Sequence, residues 1–160
     1  VMEIKLWKNN KLFQDNVEAD MLLIDYVRSK GFFSVKRGCE TANCGLCTVW
    51  VDKKPVLSCS TLAAQINNKH VVTLEGVQDR AIDFGTFLAK EGAEQCGYCS
   101  PGFIMNVLAM EDELENPTER EIKEYLAGNL CRCTGYQGQL RAIKKYLDRN
   151  KETVNHEVCK

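Results

Sequence analysis

Cys39-x4-Cys44-x2-Cys47, with a fourth cysteine downstream at Cys59, is the plant-type spacing for a two-iron, two-sulfur (2Fe–2S) cluster. A short loop must wrap such a cluster, presenting thiolates from several directions while backbone N–H groups point at the sulfurs. Gly38 and Gly45 suit that loop, because glycine adopts positive φ and lets the backbone approach closely. The cluster is anionic, so those N–H groups stabilise it and tune its potential. A second set, Cys96-x2-Cys99 and Cys131-x-Cys133, consists of two close pairs on separate segments. On spacing alone this set fits a four-thiolate zinc site as well as an iron–sulfur cluster.

Nine cysteines in 160 residues are the anomaly in an otherwise ordinary composition. Hydrophobic residues at 44% and charged residues at 27% describe a normal globular chain. A formal net charge of −1 argues against bulk phosphate-backbone binding, so no nucleic-acid partner is expected. No apolar run approaches the roughly 18 residues of a membrane span. The alternating start Val1-Met2-Glu3-Ile4-Lys5-Leu6-Trp7 does not read as a signal peptide. The expectation is a cytoplasmic chain, where crowded cysteines bind metal more often than they form disulfides. His70 and His156 are the two histidines, and neither belongs to a nucleophile–base arrangement. No glycine-rich phosphate loop accompanies a strand–helix unit, so no catalytic residue is assigned to this chain.

The elements that must carry the thiols change character along the chain. Met2, Ile4 and Leu6 alternate with Glu3 and Lys5, and Asn9-Asn10 is a turn signal, so residues 2–17 read as a hairpin. Asp20 is placed to cap a helix over Met21 to Lys30, stopped by Gly31. Thr48–Val51, Pro55–Leu57 and His70–Leu74 are strand candidates. The second half reads as four helices. One starts at Asp83, one at Ser100-Pro101, one at a Thr118/Glu121 capping box, and one carries Leu140, Ile143 and Leu147. The fold class is therefore α+β, with residues 1–76 as one domain, 77–82 as a linker, 83–150 as a helical domain and 151–160 as a polar tail.

Four stretches together resemble one family. They are Ser34-Val35-Lys36-Arg37-Gly38-Cys39, Cys44-Gly45-Leu46-Cys47-Thr48-Val49, Gln95-Cys96-Gly97-Tyr98-Cys99-Ser100-Pro101-Gly102, and Gly128-Asn129-Leu130-Cys131-Arg132-Cys133-Thr134-Gly135-Tyr136. Over residues 1–150 the chain resembles the iron–sulfur subunit of the molybdenum hydroxylases, of xanthine dehydrogenase and aldehyde oxidoreductase type. The resemblance implies a ferredoxin-like β-grasp domain followed by a four-helix bundle, each holding a 2Fe–2S cluster. It implies Cys39, Cys44, Cys47 and Cys59 as ligands of the cluster nearer flavin. Cys96, Cys99, Cys131 and Cys133 become ligands of the cluster nearer molybdenum. Gln95 and Cys133 would lie close to the pterin. The partners implied are a large subunit carrying molybdopterin cytosine dinucleotide and a medium subunit carrying FAD, assembled as a hetero-oligomer such as a dimer of heterotrimers. The substrate class is a purine such as xanthine or hypoxanthine, or another N-heteroaromatic.

Some positions depart from the family pattern. Ala42 stands where glycine is common, Leu46 where alanine is usual, and Gly138-Gln139 where a small polar residue and isoleucine are usual. None removes a ligand. Cys159 matches no family ligand. The competing readings are a free-standing 2Fe–2S electron carrier and a zinc-stabilised interaction module.

Overall fold

The structure is a computed structural model that describes the backbone of residues 1–157 and the side chains of residues 1–149. Cys159, and the side chain of His156, therefore lie outside the described residues.

The chain opens with a hairpin, β1 (Met2–Lys8) and β2 (Lys11–Val17), paired in register from Met2↔Val17 to Lys8↔Lys11. Asn9 (φ 46°) and Asn10 (φ 65°) both take the left-handed conformation, the geometry of a two-residue turn whose twist matches the strands. Ile4 and Leu6 face inward as the alternation requires, and so does Lys8, which is fully buried. Helix α1 (Leu23–Ser29) crosses beneath the sheet. Its N-cap is Leu22, with no side-chain cap bond, so Asp20 does not start it. β3 (Thr48–Val51) and β4 (Lys54–Leu57) form a second hairpin across Asp52-Lys53, and β5 (His70–Val72) completes the sheet. The strand order is β2-β1-β5-β3-β4, with β1 parallel to β5 and the other pairs antiparallel.

The second half is helical. α2 (Gln78–Lys90) begins five residues before the expected Asp83 start, so most of the 77–82 stretch read as linker is helix. The reason lies just upstream. A 3-10 turn at Leu74–Gly76 feeds directly into α2, and Glu75 is anchored by hydrogen bonds from the Ser34 backbone N–H, the Ser34 hydroxyl and the Thr73 hydroxyl. α3 (Ser100–Glu113) starts at Pro101 as expected and buries an almost unbroken run from Gly102 to Met110, the mark of a central helix. α4 (Glu119–Tyr125) opens on the Thr118/Glu121 capping box. α5 (Gln137–Glu157) lays Ala142, Ile143 and Tyr146 on the bundle core and continues as helix through most of the stretch read as a polar tail.

Two cores result, one under the sheet and one inside the bundle. They meet at β3, all four residues of which are buried. Val49 and Val51 point into the first core, while Trp50 points the other way into the second and donates its Nε1–H to Met105 O of α3 at 2.9 Å. The α+β arrangement of a sheet domain followed by a helical domain is thus packed face to face.

Candidate functional site

The first thiol loop follows α1 and ends in β3. Its turns need left-handed backbone at Glu40 (φ 54°), Ala42 (φ 59°) and Gly45 (φ 73°). That curl turns the Thr41 and Asn43 N–H groups onto Cys39 Sγ, at 3.4 and 3.3 Å. Gly38 passes close under the loop, where a Cβ would lie 2.4 Å from Leu46 Cδ1 and 2.9 Å from Cys44 Sγ. Cys47 and its neighbour Cys44 are buried, and Cys59 reaches Cys47 from the short 3-10 turn after β4. Ser58 sets that turn by bonding to Cys47 O through both its backbone N–H, at 3.3 Å, and its hydroxyl, at 2.7 Å.

The second site is assembled from two segments. Cys96 and Cys99 precede α3, and Cys131 and Cys133 lie between α4 and α5. All four line one small hollow with Gly97, Ser100 and Thr134. Gly138 explains part of this convergence, since α5 begins with its bare backbone against Ala93, where an added Cβ would lie 3.2 Å from Ala93 Cβ. Thr134 donates its hydroxyl to Cys131 Sγ at 3.2 Å, and the Cys131 N–H donates to the Tyr136 hydroxyl at 2.9 Å. Polar residues this close to a thiol were a signal in the sequence that spacing alone did not use.

The sulfurs come in pairs. Cys96 and Cys133 Sγ are 3.6 Å apart, and Cys99 pairs with Cys131. In the first loop Cys39 pairs with Cys44, and Cys47 with Cys59. A two-iron group takes two thiolates per iron and fits such pairs. A structural zinc asks for four ligands on one point. The donor set and its pairing therefore fit a 2Fe–2S cluster at each site.

Protonation differs within each site. The Thr41 and Asn43 N–H groups pull the Cys39 thiol down to about 6, whereas burial pushes Cys47 up to about 11. The backbone N–H of Tyr98 and the Cys133 thiol hold Cys96 below the usual thiol range. Burial, then the Cys131 thiol, push Cys99 up to about 12. Metal ligation needs all of these as thiolates, so loading releases protons from the buried members.

The two sites touch through backbone. Leu130, one residue before Cys131, donates its N–H to Cys44 O at 3.0 Å. Nearby, the Tyr98 hydroxyl donates to Arg37 O at 2.7 Å and Lys36 Nζ lies 4.7 Å over the Tyr98 ring. Gln95 is exposed beside Cys96. The Ser100 hydroxyl, in the first residue of α3, donates to Glu94 at 2.6 Å.

Comparison with known proteins gives the same division. A 2Fe-2S iron-sulfur cluster binding domain matches residues 8–74, and a [2Fe-2S] binding domain matches residues 73–144. The nicotinate dehydrogenase small FeS subunit of Eubacterium barkeri is 39% identical over 135 residues, covering 82% of this chain and 86% of that protein. The xanthine dehydrogenase iron-sulfur-binding subunit of Escherichia coli O157:H7 is 43% identical over 136 residues, covering 81% and 84%. Among solved structures, a chain of quinoline 2-oxidoreductase from Pseudomonas putida 86 superposes with a TM-score of 0.85 at 33% identity, covering 94% of this chain and 96% of that one.

Proposed function

The chain belongs to the molybdenum hydroxylase family as a 2Fe–2S small subunit, and from that premise we propose which residues make it an electron conductor and between which partners. As an electron-transfer subunit of an oxidoreductase it carries no substrate-converting site. Cys39, Cys44, Cys47 and Cys59 hold one cluster, and Cys96, Cys99, Cys131 and Cys133 hold the other. When bound, these groups supply one-electron stations between a molybdenum centre and FAD on partner subunits. The chain's own part is to hold the thiolates, direct N–H and hydroxyl donors at them, and keep the two sites at fixed separation.

The observation that carries this reading is the hydrogen bond from Leu130 N–H to Cys44 O. It joins a residue adjacent to one thiol ligand with a ligand of the other set, by a route with a single non-covalent step. The exposure of Cys96 and Cys133 supports an orientation in which the helical site faces a large subunit bearing molybdopterin cytosine dinucleotide, with Gln95 and Cys133 against the pterin. The loop around Cys39, at the opposite thiol set, faces the FAD subunit. The relatives named for nicotinate, xanthine and quinoline support an N-heteroaromatic substrate, purines included, converted on the large subunit.

Affinity purification of the tagged chain from its native host tests this. The expected result is co-elution of a molybdenum- and pterin-containing large chain and a flavoprotein. Elution of the fully loaded chain alone would replace the subunit reading with that of a free carrier.

A further inference from the structure

Asn129 sits between the two thiol sites and is buried, at 6% exposure. It follows Gly128 and precedes Leu130, the residue whose N–H meets Cys44 O. Both ends of its amide are used across the domain boundary. Its Oδ1 accepts from Asn106 Nδ2 of α3 at 2.7 Å, and its Nδ2 lies 3.5 Å from Gly102 O of the same helix. Asn106 Nδ2 also lies 3.5 Å from Thr48 Oγ1, and that hydroxyl donates to Gly45 O at 2.7 Å.

The backbone around this amide leaves it no room to move. Gly45 passes so close that a Cβ there would lie 2.5 Å from Asn129 Nδ2 and 2.6 Å from Gly128 O. Gly102 passes the other side of the same loop, where a Cβ would overlap Gly45 O and stand 3.0 Å from Leu46 Cα. Loop 44–48, helix α3 and the strand of chain before Cys131 are thus clamped on one side-chain amide. Asn129's own N–H is fixed to Leu126 O at 2.9 Å, which sets the direction in which the next N–H points.

We propose that Asn129 is a positioning residue for electron transfer: its amide, locked to Asn106 and Gly102, holds the Leu130 N–H on Cys44 O and so sets the coupling between the two metal sites. The side chain must combine an acceptor for Asn106 with a donor toward Gly102 O at one short reach. Leucine, of similar volume, supplies neither and leaves the half-buried Asn106 amide with only its 3.5 Å contact to Thr48 Oγ1. Aspartate keeps the acceptor but loses the donor and brings charge against a carbonyl oxygen. Either change loosens the Leu130–Cys44 hydrogen bond, the non-covalent step of that route, where coupling is most sensitive to the gap.

This inference rests on the assignment of one cluster to each thiol set, and its test separates the two. Asn129→Leu, Asn129→Asp and, as a control elsewhere in the bundle core, Ile122→Val are prepared as full-length chains loaded with iron and sulfide. Two readouts are compared with the parent chain: the exchange interaction between the two reduced clusters in low-temperature EPR, and hydrogen exchange at the Leu130 amide. The expected result is loss of the resolved exchange interaction and of Leu130 protection in both Asn129 variants, with both retained in Ile122→Val. Where Asn129→Leu does not fold, Asn129→Asp decides. Unchanged interaction and unchanged Leu130 protection in a fully loaded Asn129 variant overturn the proposal, as does equal loss in Ile122→Val. A parent chain that shows only one EPR signal instead overturns the two-cluster assignment itself.

Discussion

The two thiol sites solve one problem in opposite ways. The first is mostly one curled loop, joined by Cys59 from the turn after β4, with Cys44 and Cys47 buried in or beside the sheet domain's core. The second gathers two segments that are distant in sequence and leaves Cys96 and Cys133 exposed. A site wrapped by one loop is shielded by its own chain. A site split between two helix boundaries is held by the bundle and stays open on one side, which suits a face covered by a partner.

The cores beneath them differ in the same sense. In the bundle, Glu111 is held below the usual carboxylate range. Burial opposes this, but hydrogen bonds from Arg80, Arg149 and Tyr146 outweigh it. Its charge is paired on every side. In the sheet domain the buried cation has no hydrogen-bonding partner among the described residues, and Asp15 and Glu75 attract it only through space. Lys8 Nζ has no hydrogen bond and lies 3.9 Å from the centres of both the Phe13 and Phe32 rings. Burial, with Lys30 nearby, lowers it to about 8. Ring faces attract a cation but do not replace its lost hydration in full. The helical domain thus pairs its buried charge with hydrogen-bonded partners, whereas the sheet domain buries a cation among ring faces.

The largest test of this contrast removes a thiol of the first loop. Cys47→Ser is expected to lower iron from about four to about two per chain, leaving the open site loaded; loss of both clusters would show that the sites are not independent. Next is the seam between them. Gly102→Val drives a side chain into Gly45 O, and a destabilisation of about 3 kcal/mol is expected in denaturant unfolding. A change under about 0.5 kcal/mol would mean that the seam yields freely.

Lys8→Met then tests the mismatched core. Lys8 is lowered in the folded state, so its unfavourable burial is fully present below pH 8. Between pH 8 and the ordinary lysine value near 10.5 the unfolded chain binds more protons, and stability rises with pH. The variant is expected to be more stable by about 1 kcal/mol at pH 7, with the difference from the parent shrinking across that window. A difference independent of pH would contradict a charged Lys8. The smallest effect belongs to the closed loop itself. Ala42 occupies left-handed backbone, and Ala42→Gly is expected to stabilise the loaded chain by about 0.5 kcal/mol in thermal melts.

Much of this was readable from residue order. The Asn9-Asn10 turn, Pro101 at a helix start and the Thr118/Glu121 box are local signals, and each sits where it was expected. What escaped was long-range. Lys8 reads as a charged residue at an inward position of an alternating strand, and only the rings brought from Phe13 and Phe32 show how it is accommodated. Trp50 faces a second domain, which period-two alternation cannot reveal because both faces of β3 are covered. The early start of α2 depends on Glu75 being tied to Ser34, forty-one positions away. Asn129 lies in the motif around Cys131, yet its task depends on Gly45, Gly102 and Asn106 meeting there.

Two 2Fe–2S clusters, one at each thiol set, are what the proposed conductor requires. Iron and acid-labile sulfide determination on anaerobically purified protein, with low-temperature EPR after stepwise reduction, tests it most directly. About four irons and four sulfides per chain, with two distinguishable signals, are predicted. Zinc in place of iron, or about two irons with a single signal, would contradict it.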